Sequence, residues 1–229
     1  TSILSDPDEC GMSALDCIYE IMENEVQRRD SNALARRLKE AKICLPNARP
    51  DTIDFSIERG LDKNKIDALL TMRWMEEHQN IIITGAAGCG KTFLACALVN
   101  QACIKGRTAR VVRVPLLLNQ MAASHQIVET YFKKLKEMKT IDLLVLDDWG
   151  IGQLDARSRQ DLLEIINERY MYASTIVTSV LPVNKWSEYI NDTTYSDAIL
   201  DRLVSVSHRV ELNGASVRQM KEYGAVLKE

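Results

Sequence analysis

The sequence lacks several features that would place it in a common class at once. No apolar run approaches the ~20 residues that a helix needs to cross a bilayer, so no transmembrane segment is predicted. Six cysteines form no C-x-x-C pair and the three histidines are scattered, which excludes a metal-binding cluster of the usual spacing. Internal repeats and low-complexity tracts are absent. With 229 residues, 46% hydrophobic and 27% charged, the composition is that of an ordinary globular chain, either one large domain or one core with an appendage.

A net excess of positive charge is missing as well. The 29 basic and 32 acidic residues give a formal charge of −3, which excludes a general polycation. The charge is distributed unevenly, however. Residues 1–27 carry seven acidic and no basic side chains, whereas 28–42, 105–113 and 133–139 are rich in lysine and arginine. Such segments are most often solvated surfaces, and they are also able to contact a phosphodiester backbone.

The first stretch that carries chemistry fits the pattern G-x-x-x-x-G-K-[ST], the phosphate-binding loop of nucleoside triphosphatases. Its residues are Gly85, Ala86, Ala87, Gly88, Cys89, Gly90, Lys91 and Thr92. Glycines let backbone N–H groups approach phosphates closely, and the N-terminus of the following helix adds partial positive charge. Lys91 is expected to reach the β- and γ-phosphates and the Thr92 hydroxyl to coordinate Mg²⁺. A chance glycine-rich turn is the alternative, but the β-branched run before the loop and the alanine-rich run after it supply the required strand and helix.

Cys89 lies inside this loop, where a disulfide would distort the phosphate site. A reducing compartment is therefore favoured, because thiols persist there. The sequence predicts a cytoplasmic protein that binds ATP and Mg²⁺.

Alternating patterns along the chain predict an α/β fold. Buried strands are expected at 80–84, 108–114, 143–146, 174–178 and 208–212. Helices are expected at 12–43, at 62–77, from the loop to about residue 105, at 116–123, at 126–139, from Asp155 or Ser158 to about 172, near Trp186 and at 196–204. Strands alternating with helices around a phosphate-binding loop indicate a parallel sheet with helices on both faces. Because 45–55 reads as a linker, we predict an N-terminal helical domain at 1–48, a linker at 49–60 and the nucleotide-binding domain at 61–229.

A second acidic signature follows the strand at 143–146. Asp147 and Asp148 come directly after four apolar residues, Leu-Leu-Val-Leu. A buried parallel strand places Asp147 at its carboxyl end, where this side chain is expected to hold the Mg²⁺ shell, while Asp148 is expected to orient or activate the attacking water. A strand that ends at a polar turn is common in any α/β protein. Downstream of a phosphate-binding loop, at this spacing, the same motif predicts an ATPase.

Together these motifs resemble the IstB-like ATPases, the transposition helper proteins of bacterial insertion elements, in the AAA+ superfamily. The resemblance is carried by residues 85–99, 143–152, 168–170, 174–179, 186, 197–203 and 214–218, and upstream by 36–42 and 53–55. The same branch of the superfamily includes the replicative helicase loader DnaC. The Asp-Asp-Trp-Gly form at 147–150 is more similar to the transposition helpers.

The resemblance implies roles for residues that local patterns do not single out. Arg202 matches the arginine finger that reaches the γ-phosphate held by a neighbouring subunit, and Arg218 matches the second sensor of the subunit's own nucleotide. An arginine supplied across an interface makes hydrolysis depend on assembly. Arg169 is a rival for the finger. In the Thr-Ser-Val run at 178–180, Ser179 is the candidate for the first sensor.

The family also places an additional helix after the second strand, and this helix follows the nucleic acid backbone within an oligomer. Residues 116–139 are the matching segment. We expect contacts to phosphates, without base reading, from six basic side chains: Lys133, Lys134, Lys136, Lys105, Arg107 and Arg113. For any one of the lysines, a solvated helix face is the alternative.

The prediction is thus an ATP-hydrolysing AAA+ transposition helper. It is expected to form a homo-oligomer with nucleotide between subunits, to assemble on duplex DNA and to present that DNA to a transposase. Two alternatives remain open at this point. One is a helicase loader of DnaC type, and the other is a nucleotide-dependent scaffold with vestigial hydrolysis, since Asp148 is one methylene shorter than the glutamate that many AAA+ proteins use.

Overall fold

A computed structural model describes residues 14–214, in which five parallel strands form one sheet. The strands are β1 (Asn80–Gly85), β2 (Ala109–Arg113), β3 (Leu143–Trp149), β4 (Ser174–Ser179) and β5 (Ser207–Leu212), in the spatial order β2-β3-β4-β1-β5. The predicted α/β class, with a parallel sheet flanked by helices, is confirmed. Because all strands run the same way, their carboxyl ends meet at one edge of the sheet, and the phosphate-binding loop follows β1 there.

Nine α-helices connect the strands or flank the sheet within the described range. They are α1 (Ala14–Glu40), α2 (Lys63–Leu70), α3 (Arg73–Glu76), α4 (Lys91–Ile104), α5 (Val114–Ser124), α6 (Val128–Thr140), α7 (Ala156–Arg169), α8 (Trp186–Ile190) and α9 (Thr193–Val204). Short 3₁₀ turns occur at Pro50–Thr52 and Val183–Lys185. None of the helices in residues 14–214 combines the length and the apolar character needed to cross a membrane.

The central strands β1, β3 and β4 are buried, and β1 and β3 contain nearly continuous apolar runs, whereas the edge strands β2 and β5 are partly exposed. Ile81 and Ile83 of β1 join the core that contains α2, α3 and α4, while Ile82 between them joins the core of α5, α7, α8 and α9. One layer of helices therefore packs on each face of the sheet.

Several predicted helix boundaries differ from the structure by a few residues, and two of the differences have a clear local reason. The helix expected over 62–77 is divided into α2 and α3, because Met72 takes a left-handed conformation with φ 67°. The helix expected from 196 begins three residues earlier, at Thr193, since the Asp192 side chain accepts a hydrogen bond from the backbone N–H of Tyr195 and caps the helix start.

The C-terminal part of α1 lies against the sheet rather than apart from it. Leu34 and Leu38 pack on the core that contains α4, and Ala41 is fully buried. The Ala41 carbonyl accepts a hydrogen bond of 2.8 Å from the N–H of Val111, on the outer strand β2. The start of α1 is different, because Leu15, Ile18 and Met22 are exposed. The division of the chain at residue 48 stays a prediction.

Candidate nucleotide-binding site

The phosphate-binding loop joins the carboxyl end of β1 to the N-terminus of α4. Gly85 has φ 149°, and a Cβ at this position would lie 2.2 Å from the Leu212 carbonyl oxygen, so a side chain does not fit. Gly90 precedes α4 with φ 100°, and no side chain within residues 14–214 caps the start of this helix. The first N–H groups of α4 are thus left for an anion, which is the arrangement that binds phosphates in other proteins.

Lys91 is folded into this loop. Its Nζ donates hydrogen bonds to the carbonyl oxygens of Gly85, at 2.8 Å, and Ala86, at 2.7 Å, and the residue is only 9% exposed. The ammonium group is therefore held at the mouth of the loop by neutral acceptors. Because hydrogen bonds between charged groups are stronger than those to a neutral carbonyl, phosphate oxygens are expected to displace them.

Thr92 and Asp147 meet beside the loop, as the sequence predicts for a magnesium site. The Thr92 hydroxyl donates to the Asp147 carboxylate at 3.0 Å, and Asp147 is 4% exposed at the end of β3. One hydroxyl and one carboxylate are oxygen donors of the kind that Mg²⁺ prefers, and Mg²⁺ commonly completes its shell with water and substrate phosphates. The residues present therefore fit Mg²⁺ bound together with a nucleoside triphosphate.

Thr178 is a member of this cluster that the sequence argument missed. Its hydroxyl donates to the Asp147 carboxylate and accepts from the N–H of Asp148 at 3.2 Å. Ser179, the predicted first sensor, is fully buried; its hydroxyl donates to the Trp149 carbonyl at 2.8 Å and accepts from the N–H of Leu181 at 3.0 Å. Thr178, rather than Ser179, is the hydroxyl that lies at the acidic cluster.

A register shift between β3 and β4 explains this difference. Leu146 is paired with Val177, whereas Trp149 is paired with Ser179, so two residues of β3 lie opposite Thr178 alone. Those two residues are the aspartates. The alternation of side chains along β4 places residues 178 and 179 on opposite faces of the sheet. It does not predict the irregularity in β3, which decides which of the two lies at the aspartates.

Asp148 is paired with an arginine that the sequence argument assigned to another task. Its carboxylate accepts a hydrogen bond of 2.6 Å from Nε of Arg113, at the end of β2. The Asp148 backbone is left-handed, with φ 62°, so the carboxylate points away from the regular strand path. Asp148, which is expected to orient water, thus forms an ion pair with Arg113, which is one of the six expected DNA contacts.

Arg59 is the second residue missed by the sequence argument, and it lies behind the phosphate-binding loop. It is 6% exposed, and its two Nη groups donate to the carbonyls of Cys89, at 3.4 Å, and Asp54, at 2.9 Å. Its Nε is buried without a hydrogen-bond partner in the described structure. A Cβ added at Gly90 would lie 2.5 Å from Nη1, so the guanidinium is in contact with the loop itself. No sequence motif identifies this arginine.

We expect Arg59→Met to weaken ATP binding roughly 30-fold, because it removes a positive charge close to the phosphates. Two unit charges roughly 7 Å apart interact by about 2 kcal/mol at an effective dielectric constant of ~20. Methionine fills similar space but leaves the Cys89 and Asp54 carbonyls without these donors, so stability has to be measured beside affinity. Titration with a fluorescent ATP analogue measures the change, and the thermal midpoint of the nucleotide-free protein serves as the control. A lower midpoint with unchanged affinity would show that Arg59 is only structural.

The predicted arginine finger lies far from the loop of its own subunit. Asn80 begins β1, and its side-chain amide donates to the Arg202 carbonyl at 3.1 Å, whereas the loop follows the other end of the strand. Six residues of strand span about 17–20 Å. Arg202 is half-buried over the Tyr170 ring, with its guanidinium carbon 5.7 Å from the ring centroid. Its position agrees with an action on a neighbouring subunit, which stays a prediction.

Arg169, the alternative candidate for the arginine finger, is buried and makes hydrogen bonds within its own subunit. It is 2% exposed and donates to the carbonyls of Met138, Ile141 and Ser174 and to the Thr175 hydroxyl. Burial lowers the pKa of its guanidinium to about 9. A side chain with four internal partners is not available to a neighbouring subunit. Arg218, the expected second sensor, lies outside the described residues.

The six expected DNA contacts do not form one surface. Lys133, Lys134 and Lys136 lie on α6, and the Lys134 ammonium group donates to Gln120 at 3.3 Å. Lys105 and Arg107 precede β2 and therefore lie near the opposite edge of the sheet from Arg113, which ends that strand. The tertiary structure separates two groups that the sequence places in a single basic run.

Comparison with known proteins agrees with this geometry. Residues 3–225 match the family described as IstB-like ATP binding protein. The chain belongs to this family. One similar relative is the putative insertion sequence ATP-binding protein y4pL of Sinorhizobium fredii, 42% identical over 87% of this chain and 80% of the relative. Membership of the IstB-like family confirms the resemblance inferred from the motifs.

The solved structures that share the fold of this IstB-like protein include a helicase loader and DnaA. The DnaC helicase loader gives a TM-score of 0.59 at 21% identity, covering 73% of this chain and 98% of that one. DnaA from Aquifex aeolicus, bound to the ATP analogue AMPPCP, gives 0.61 at 22% identity, covering 80% and 56%. At these identities the similarity concerns the fold alone, and that fold is the AAA+ type with a phosphate-binding loop.

Proposed function

We propose that this IstB-like protein hydrolyses ATP as a transposition helper, assembles on duplex DNA and presents that DNA to a transposase. The observation that carries the proposal is the Thr92–Asp147 pair beside the phosphate-binding loop, with the Lys91 ammonium group at the mouth of the loop. These three side chains are the ones that phosphoryl transfer requires for a metal and for phosphate charge. A location in the cytoplasm belongs to the same proposal.

Each site residue has a distinct task in this reaction. When bound, ATP with Mg²⁺ supplies the phosphoryl group that water attacks, giving ADP and phosphate. The Lys91 ammonium group would exchange its hydrogen bonds to the two loop carbonyls for phosphate oxygens, and Thr92 and Asp147 would hold the metal. Asp148 orients the water, and Thr178 keeps the Asp147 carboxylate in place. Arg202 of a neighbouring subunit, together with Arg218, completes the site, so nucleotide lies between subunits of a homo-oligomer.

The names of the relatives support the choice of client. The curated proteins similar to this chain are described as ATP-binding proteins of insertion sequences, which gives a transposase as the natural partner. The shared fold with the DnaC helicase loader favours a second candidate, a loader that acts on a replicative helicase and single-stranded DNA. The two functions differ in the nucleic acid that the protein prefers.

Phosphate release measured without DNA, with duplex and with single-stranded DNA of the same length tests the proposal. We expect turnover that requires Mg²⁺ and is stimulated more strongly by duplex. Preference for the single strand would favour the loader, and co-purification with a helicase rather than a transposase would support that result. Nucleotide binding and assembly without turnover under any condition would leave a scaffold and overturn the enzymatic part.

The Arg113–Asp148 pair provides a physical link between DNA and the ATP site in this proposal. Arg113 is mostly exposed, with a side-chain exposure of 64%, so a DNA phosphate has access to it. Exposed ion pairs contribute little to stability, and a phosphate is able to compete for the guanidinium. Contact with DNA would then release the Asp148 carboxylate to orient water.

We expect Arg113→Ala to raise turnover without DNA roughly threefold and to reduce further stimulation by duplex, because the carboxylate is free from the start. Phosphate release with and without duplex gives both values, and Arg157→Ala, an exposed arginine on α7, is the matched control. Unchanged basal turnover with full stimulation would show that the pair does not restrain Asp148.

A further inference from the structure

A charged cleft lies at the outer edge of the sheet, away from the ATP site. It has a volume of about 580 Å³ and is lined by Arg36, Lys39, Glu40, Lys42, Arg110 and Glu137. Three structural parts meet there: the last turns of α1 with the residues after it, the outer strand β2, and α6. We call it the β2-edge cleft.

Tertiary structure, rather than sequence proximity, creates this cleft. Arg110 belongs to a basic run about seventy residues after Arg36 and Lys39 in the chain. The hydrogen bond from the Val111 N–H to the Ala41 carbonyl fixes the end of α1 along β2 and brings the two runs together. Two basic segments that look like separate solvated surfaces therefore share one concave site.

The cations of the cleft are not neutralised within the described structure. Four positive side chains face two carboxylates, and none of the four forms an ion pair within 4.0 Å with another described residue. The Nε of Arg110 is excluded from solvent and has no hydrogen-bond partner there. The Arg110 guanidinium is therefore not fully satisfied within the described structure, and its positive charge favours an anion with several acceptor oxygens.

The lining also indicates which anion fits. All six lining residues within the described part of the chain are charged, and none of them has an aromatic ring on which a base could stack. A free nucleotide would therefore lack a site for its base, whereas a nucleic acid backbone needs only phosphate contacts. Arg36 and Lys39 are three residues apart on α1, about 4.5 Å at helical rise, and Lys42 lies two residues beyond the helix end, so the cations are spread over enough length for more than one phosphate.

The cleft includes one residue of α6, Glu137, and helical spacing relates this residue to two of the α6 lysines. Lys133 and Lys134 lie four and three residues before Glu137 on that helix, and such spacings share one helix face. A backbone that contacts these lysines therefore has the cleft as its next cationic site, one helical turn further along.

We propose that the β2-edge cleft is a second phosphodiester-binding site, which holds the backbone of duplex DNA next to the α6 lysines. The proposal rests on the DNA-binding function proposed above and extends it to Arg36, Lys39, Lys42 and Arg110. Binding at the cleft is independent of base sequence. It also brings the end of α1 into contact with DNA, so α1 and the sheet act together as one surface.

Duplex affinity of the full chain with ATP and Mg²⁺, measured by fluorescence anisotropy at several salt concentrations, tests the cleft. The triple variant Arg36→Gln, Lys39→Gln, Lys42→Gln is expected to bind roughly tenfold or more weakly at low salt. Its slope of log affinity against log salt is expected to fall by about 2–3, since each lost phosphate contact removes about 0.9. The matched control, Arg28→Gln, Arg29→Gln, Lys63→Gln, removes three exposed cations elsewhere and is expected to bind as the wild type does.

Thermal midpoint and ATP affinity, expected to be unchanged, show that the triple variant is folded. If it does not fold, Lys39→Gln alone replaces it, with an expected fall in slope of about 1. A wild type without salt-dependent duplex binding would refute the proposed function itself. If the wild type binds duplex and the triple variant keeps the same affinity and salt slope, the role of the cleft is overturned and the proposed function is not. Loss of self-association in the absence of DNA would assign the cleft to a second copy of the chain and also overturn the proposal.

Discussion

Lys91→Ala is expected to lower ATP affinity at least ~100-fold and to abolish turnover, because the side chain supplies the cation nearest to the phosphates. In the structure its Nζ lies 2.7–2.8 Å from two loop carbonyls, poised at the mouth of the site. Alanine removes the charge and leaves both carbonyls without this donor. Binding of a fluorescent ATP analogue and release of phosphate measure the two effects separately.

The control for this variant is Lys63→Ala, which removes an exposed lysine on α2. Both proteins are expected to unfold at similar temperatures without nucleotide, since Lys91 contributes only hydrogen bonds to the loop. Normal ATPase activity in Lys91→Ala would contradict the assignment of the phosphate-binding loop, and every other role proposed for the site would then need a new basis.

Arg202→Ala is expected to keep ATP binding within about threefold of wild type and to reduce turnover by roughly 10³-fold, the scale at which an arginine finger acts. Arg202, on α9, lies beside the start of β1, at the edge of the sheet opposite the loop, so it does not reach the nucleotide of its own subunit. Nucleotide affinity, turnover and sedimentation of the ATP-bound protein distinguish a defect in hydrolysis from a defect in assembly.

A mixture of the two inactive variants tests whether Arg202 acts between subunits. Each site takes Lys91 from one subunit and Arg202 from the next. In the mixture, an Arg202→Ala protomer still supplies Lys91, and a Lys91→Ala protomer still supplies Arg202. A site is therefore complete where the first is followed by the second. Random association at equal concentrations gives this order at about a quarter of the interfaces of a head-to-tail assembly. We expect that fraction of turnover to return. No recovery, although the mixture assembles, would indicate that the finger is another residue.

Much of this architecture followed from local patterns. The five strands, the phosphate-binding loop, the acidic pair at 147–148 and the helix after Asp155 are each recognisable within a short window. They depend on hydrophobic periodicity, glycine conformation and helix capping, which act between residues close in the chain. The family was recognisable for the same reason, because its motifs are contiguous.

Long-range geometry accounts for what sequence patterns left open. The β3–β4 register shift selects Thr178 over Ser179 at the acidic cluster, and burial removes Arg169 from consideration as a finger. Arg59 reaches the loop from a segment about thirty residues earlier, without any motif to mark it. The Arg113–Asp148 pair joins two strands that are neighbours only in the sheet.

Residue types and spacings therefore predict the chemistry of the site, since the glycines, Lys91, Thr92 and Asp147 perform tasks that few other side chains can. They do not predict the contacts that these residues make. Which arginine contacts which carboxylate or loop depends on strand order, register and helix packing, and these arise from the whole core, where each contact forms between residues far apart in the chain.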